Sequence, residues 1–324
     1  MTQLKFACLL LPLFLTSFGA TADTIRIGYW TGGAMQGFGA VLENQKFLET
    51  EGLTPEFVHF GDINGPTRAI ATRSIDVGFA PIAGTFGLAA EGAPIEIILA
   101  TQVAEGDFMV AEDSPINGLD DLKGTRLGAS PAGSTMHALT IAVLGRNHGL
   151  DENALTFVPG ADPKLAQLLG QHDIDVGVLR RVIVEGLPQA HLRRIGTLDE
   201  EWRRMTKGDG SPLTAVAVAR TDYASAQPAA IVKYVSALIA ATRWGANHPD
   251  QVERLLRESG AVDEATAVSS AKQWPHVFIA SLASSDVETL RTMEGIFREQ
   301  NLLEKPVPET LIQPAAFQAA LSGR

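Results

Sequence analysis

Short apolar runs alternate with longer mixed segments over the first two thirds of the chain. Residues 24–30 (TIRIGYW) are β-branched or aromatic at most positions and read as a strand, Thr31-Gly32-Gly33 as a turn, and a helix is predicted from there to Glu51 with Gly52 as its cap. Residues 56–60 give the next strand, followed by a loop rich in Gly, Asp, Asn and Pro, then a helix. Residues 75–80 give a third strand, a helix leads to Glu91, and residues 95–101 give a fourth. Strand and helix in strict alternation predict a mostly parallel sheet flanked by helices.

The alternation then repeats with some of its residues. Arg26-Ile27-Gly28 returns as Arg126-Leu127-Gly128, and Gly33 as Gly133, both at an offset of 100. Ile75-Asp76-Val77-Gly78 returns as Ile174-Asp175-Val176-Gly177, and Gly61 as Gly160, both at 99. Matches in the same order at nearly one offset predict two lobes of similar topology. The last third reads as helical. Pro228 suits a first helical position, Ile231, Val235, Leu238 and Thr242 share one face, and Val287, Leu290, Met293 and Phe297 share another. Asn247-His248-Pro249-Asp250 breaks and restarts a helix. The expected division is a leader at 1–22, a first lobe at 23–103 completed by 214–324, and a second lobe at 104–213. Two such lobes joined by crossing strands enclose a cleft, and ligands of such sheets sit beyond the carboxyl ends of the strands.

Composition is that of an ordinary globular protein, 45% hydrophobic and 19% charged. Lys5, an apolar run from Phe6 to Phe18 and Ala20-Thr21-Ala22 have the order of a cleaved secretory signal, so the mature chain is expected to begin near Asp23 and to reside in the periplasm. The run is too short to span a membrane. The single cysteine, Cys8, lies inside that run, so the mature chain is expected to hold no disulfide, no thiolate nucleophile and no cysteine-bound metal. Net charge is −11 and becomes −12 when Lys5 leaves, with Arg180-Arg181, Arg193-Arg194 and Arg203-Arg204 the only notable basic pairs. That balance argues against nucleic acid as a partner.

Helix starts facing the cleft would expose unpaired N–H groups and the positive end of the helix dipole. The candidate ligand residues lie in such junctions: Trp30, Thr31 and Gly32; Pro81 and Ile82; and Ser130, Gly133, Ser134 and Thr135. Ser134 or Thr135 could equally be a plain N-cap. Trp30 could cover a planar ligand or pack in the core. Thr101 and Gln102 end the strand that leaves the first lobe, where they could bond a ligand or line the hinge. Arg180 stands one repeat after Pro81 and could hold a sulfonate, phosphate or carboxylate; a surface arginine is the bland alternative. Asp76 and Asp175 fall at strand starts, away from the cleft, where local pairing is expected. No hydrolase elbow, zinc-protease helix or phosphate loop is present, and His59, His137, His148, His172, His191, His248 and His276 are scattered without ligand spacing. No catalytic residue, metal or cofactor is expected.

The run Asp113-Ser114-Pro115-Ile116, Leu119-Asp120-Asp121-Leu122-Lys123-Gly124, Arg126-Leu127-Gly128, Gly133-Ser134-Thr135 and His137 resembles the substrate-binding proteins of ABC importers for aliphatic sulfonates, nitrate, taurine and thiamine precursors. Residues 25–29, 74–78, Ala93-Pro94 and 247–250 extend the likeness over nearly the whole mature chain. The resemblance implies an α/β type II periplasmic-binding fold, two lobes closing over a small solute, and a membrane ABC permease as partner, with the receptor itself a monomer. A sulfonate, taurine or nitrate is the first expectation for the solute, and a heterocyclic or aromatic ligand the second. Leu179-Arg180-Arg181 replaces the family's usual aromatic stretch. A relative that makes a thiamine pyrimidine is similar to iron-dependent enzymes with a cysteine-rich motif, which the mature chain lacks, so an enzyme is the third reading.

Overall fold

The computed structural model describes residues 23–187, 190–259 and 262–323. The leader expected at 1–22, with Lys5 and Cys8, lies outside the described residues. The chain begins with β1 (Asp23–Trp30), α1 (Ala34–Asn44), α2 (Phe47–Thr50), β2 (Leu53–Phe60), α3 (Gly65–Ala71), β3 (Val77–Pro81), α4 (Ile82–Ala90) and β4 (Ile95–Val103). It then crosses into β5 (Asp107–Ala111), β6 (Arg126–Ala129), α5 (Thr135–His148), β7 (Thr156–Pro159), α6 (Asp162–Gly170), β8 (Val176–Leu179), α7 (Arg181–Gly186), β9 (Leu192–Thr197) and α8 (Leu198–Thr206). It returns through β10 (Leu213–Arg220), α9 (Thr221–Ala226), α10 (Pro228–Asn247), α11 (Pro249–Glu258), α12 (Glu264–Val277), β11 (Phe278–Ser281), α13 (Ser284–Glu299) and α14 (Ala315–Ser322).

Two sheets result, ordered β11-β4-β10-β3-β1-β2 and β7-β6-β8-β5-β9. In the first, β1 is parallel to β2 and β3, and β10 is antiparallel to β3 and β4. In the second, β6 is parallel to β7 and β8, and β5 is antiparallel to β8 and β9. In each sheet one interior strand, β10 or β5, runs antiparallel to both neighbours and is the one that arrives from the other lobe, while β11 adds a further antiparallel strand at the edge of the first sheet. This is the type II periplasmic-binding architecture.

The sequence repeat is visible as register. Gly28 lies opposite Gly78, and Gly128 opposite Gly177. At the strand starts Arg26 holds Asp76 through its backbone N–H, Nε and Nη2, at 3.0, 3.0 and 2.7 Å. Arg126 holds Asp175 in the same way, at 2.7, 3.1 and 2.8 Å. Asp76 and Asp175 are thus structural clamps between neighbouring parallel strands. The glycines of the repeat have a packing role. A Cβ on Gly28 would lie 2.5 Å from Ile75 Cδ1, and one on Gly128 2.5 Å from Ile174 Cδ1. The isoleucine preceding each aspartate fills the space that the glycine leaves.

Helix ends follow local chemistry. Ser134 caps α5 by accepting from the His137 N–H at 3.2 Å, and Gly149 closes it at φ 67°. Pro228 and Pro249 open α10 and α11, where a missing N–H costs nothing. The helix expected up to Glu51 is instead two, because Lys46 adopts a left-handed φ of 55°. The break re-aims Leu48 into the core and sets Phe47 edge-on to Trp244. β2 starts earlier than its apolar run and includes Pro55, which a sheet edge tolerates. Among the described residues no helix is long and apolar enough to cross a membrane.

Candidate ligand site between the sheets

A cavity of about 1140 Å³ lies where the strands of both sheets end. Trp30 closes β1, Pro81 closes β3, Gln102 lies near the end of β4, Ser130 follows β6 and Arg180 follows β8, and all five line it. Gly32, Gly133, Ser134 and Thr135 line it as well. Thr31, Ile82 and Thr101 do not. Thr31 turns outward, with its N–H and hydroxyl both bonded to the Phe60 carbonyl at 2.8 and 3.3 Å. Ile82 is wholly buried in the core at the first position of α4, so its neighbour Ala83 meets the cavity instead. Thr101 and Gln102 are consecutive strand residues and point to opposite faces, which gives the cavity to Gln102 alone.

Much of the wall is apolar and comes from residues the sequence reading did not select. Met35 of α1, Leu256 of α11, Trp274 and Val277 of α12, and Phe278 of β11 complete one side. Trp274 is locked in place. Its ring stacks on Phe38 at 5.6 Å and 11°, its Nε1 donates to the Thr242 carbonyl at 3.0 Å, and a Cβ on Gly245 would sit 2.2 Å from its indole. Gly245, two residues before the end of α10, was the available signal.

Charge in the cavity is mixed. Arg68 and Arg180 face it, as do Glu91, Glu105 and Asp162. Arg180 reaches across towards the first lobe, with Nη1 3.4 Å from the place of a Cβ on Gly33. Its Nε and backbone N–H both donate to Asp162 Oδ2, at 2.6 and 3.1 Å. Burial works against its charge, but the Asp162 carboxylate outweighs it and raises the guanidinium pKa. Only the Nη end of the fork remains to meet a ligand. Glu105 lies in the segment that crosses between the lobes and is 8% exposed. Burial pushes its carboxyl up to about 7, against the Arg181 N–H and the Arg180 charge. Thr67, Gln102 and Gln273 also line the cavity, and each has a buried side-chain atom without a partner among the described residues: Oγ1, Nε2 and Oε1 respectively. Among the described residues no group of three His, Cys, Asp or Glu side chains is placed to hold a metal ion.

The lobes also touch directly. The Ala83 N–H at the start of α4 donates to Thr135 Oγ1 at the start of α5, 3.1 Å away. Gln273 Nε2 of α12 donates to Glu185 Oε1 of α7 at 2.8 Å.

The family described as NMT1/THI5 like matches residues 40–252, about two thirds of the chain. The chain belongs to that family. Solved structures share the fold of this NMT1/THI5-like protein. The alkanesulfonate-binding protein SsuA from Xanthomonas axonopodis pv. citri, bound to MOPS, superposes with a TM-score of 0.70 at 18% identity, covering 90% of this chain and 99% of that one. The periplasmic aliphatic sulphonate binding protein SsuA from Escherichia coli superposes at 0.74 and 21% identity, covering 90% and 93%. A cysteine-to-serine mutant of DSZB in complex with biphenyl-2-sulfinic acid superposes at 0.67 and 17% identity, covering 94% and 100%. DSZB is a desulfurization enzyme, so the fold serves both binding and catalysis. No curated protein matches the sequence.

Proposed function

We propose that this NMT1/THI5-like protein is the periplasmic solute receptor of an ABC importer, and that it captures an organic solute with an apolar body in the cavity between its lobes before delivering it to the permease. The observation that carries this reading is the cavity itself: about 1140 Å³, on the carboxyl side of both sheets, with Trp30, Met35, Leu256, Trp274 and Phe278 in its wall. Nitrate or taurine would fill little of that space. Longer or aromatic sulfonates and carboxylates fit it better, with the polar head near the Arg180 Nη groups and the starts of α4 and α5. The aromatic wall also favours a planar heterocycle as a second ligand class. Sulfonate binding by proteins of the same fold supports a polar-headed organic solute.

Thermal unfolding of the chain from Asp23 tests the reading against nitrate, taurine, alkanesulfonates of rising length, aromatic acids and pyrimidines. A ligand at about a hundred times its dissociation constant should add about 2.7 kcal/mol of stability. Organic ligands should stabilise and nitrate should not. Stabilisation by none of the panel, or turnover of a panel member, would overturn it.

A further inference from the structure

We propose that Glu105 reads a hydrogen-bond donor on the captured solute, so that the preferred ligand carries an N–H group and is not an acceptor-only anion. The inference rests on the reading of the cavity as a solute site and narrows the class of solute. Glu105 belongs to residues 104–106, which join β4 to β5, and it lines the cavity while almost wholly buried. Among the described residues its one hydrogen bond comes from the Arg181 backbone N–H to Oε2, at 2.7 Å. The nearby arginine side chains make their hydrogen bonds to other carboxylates, and only the Nη end of Arg180 stays open. Arg180 is bonded to Asp162 at 2.6 Å, and Arg181 and Arg194 share Asp107 at 3.0 and 3.3 Å. Glu105 is therefore a buried carboxylate on a ligand cavity that receives no hydrogen bond from a side-chain cation among the described residues, although the Arg180 and Arg181 charges are felt there. Such a group needs a donor when it is ionised.

A second acceptor has the same need. Gln273 is oriented by the bond from its Nε2 to Glu185, because a carboxylate can only accept, and this leaves Gln273 Oε1 buried and unpartnered. Nearly all buried polar atoms in folded proteins find a partner, and Gln273 borders both the cavity and a smaller polar pocket beside Arg181 and His276, so a donor on a captured solute is one source of that partner. A nitrate or a plain alkanesulfonate offers only acceptors. It would leave both oxygens unsatisfied and place negative charge beside Glu105. An amino group, an amide or an amino-heterocycle supplies the missing donor. Gln102 Nε2, a buried donor without a partner, suits a neighbouring acceptor on the same molecule.

The carboxyl of Glu105 titrates near neutrality because of its burial. Facing it are Arg180 and Arg181 at the start of α7, which favour its charge, and Asp107 of β5, which opposes it. Asp162 of α6 and Glu185 of α7 offset the two arginines. The ionised form accepts the donor, so affinity for an N–H ligand should rise with pH through this range.

Matched pairs test this on the chain from Asp23: benzenesulfonate with 4-aminobenzenesulfonate, benzoate with 4-aminobenzoate, and pyrimidine with 4-aminopyrimidine. Calorimetric titration of wild type and Glu105→Gln is run on both sides of neutrality. In wild type the amino member of the binding pair should be favoured by about tenfold on the alkaline side. That preference should shrink on the acid side and be lost, with its pH dependence, in Glu105→Gln. Gln273→Met should weaken the preference without removing the pH dependence. Equal binding of both members in wild type, or an unchanged preference in Glu105→Gln, overturns the proposal while leaving the solute cavity intact. Binding by no pair removes both. If Glu105→Gln does not fold, the wild-type pH profile decides, because a flat profile is incompatible with a titrating acceptor.

Discussion

Asp76 and Asp175 are chemically eligible for catalysis, yet each spends its carboxylate on an arginine of the adjacent strand. For Asp76 burial acts to raise the pKa, and the three bonds from Arg26 outweigh it and hold the carboxyl below its ordinary value. Its folded pKa is thus depressed. The stability it contributes is complete above the unfolded value of about 3.9 and is lost as pH falls through the folded one. Asp76→Asn should lower stability by roughly 1.5–3 kcal/mol near neutrality, since the bonds are charge-assisted and partly buried. The gap between wild type and variant should close in acid. Urea unfolding of both proteins over a descending pH series measures it, and a gap that stays constant would contradict the clamp. At the same scale, the candidate ligand positions divide by direction: Trp30 and Gln102 turn to the cavity while their neighbours Thr31 and Thr101 turn away. A loop can be located from sequence, but the face that each of its residues presents depends on strand phase and on bonds such as those from Thr31 to Phe60.

Elements were legible where local pattern and tertiary demand agree. The parallel strands, the helix starts at Pro228 and Pro249, and the paired Arg…Asp blocks all carry their signal within a few residues. Three features escaped because distant contacts decide them. The return of the chain to the first lobe near residue 214 is expected from the sequence, but the place of β10 between β3 and β4 in the middle of that sheet is not. The break at Lys46 costs left-handed strain and is maintained by the packing of Leu48 and Phe47. The wall formed by Trp274 and Phe278 joins the site only because the C-terminal helices return to the first lobe. Where the repeat does encode packing, it can be tested. Gly128→Ala would drive a methyl against Ile174 Cδ1 at 2.5 Å and Leu165 Cδ2 at 3.0 Å, an overpacking that should cost about 1–3 kcal/mol. Ile174→Val removes the closer atom, so the double variant should be more stable than the two separate losses imply. A double-mutant cycle by chemical denaturation reads that coupling, and strict additivity would show that the glycine is not there to admit the isoleucine.

At the scale of the molecule, two similar sheets exchange their antiparallel strands and face one another across a cavity that takes polar groups from both. The contacts from Ala83 to Thr135 and from Gln273 to Glu185 bridge the lobes. A solute that touches both lobes would bias them towards closure, by as much as its affinities for the open and closed forms differ. Burial of apolar surface in such a closure has a thermodynamic signature independent of which solute is bound. The direct measurement is the heat-capacity change of binding, from calorimetric titrations at several temperatures with the panel member that most stabilises the chain from Asp23. A clearly negative change with modest dependence on salt is predicted for an organic solute enclosed by Trp30, Met35 and Trp274. A change near zero, with affinity that collapses as salt is added, would place the ligand on the exposed surface and contradict capture between the lobes.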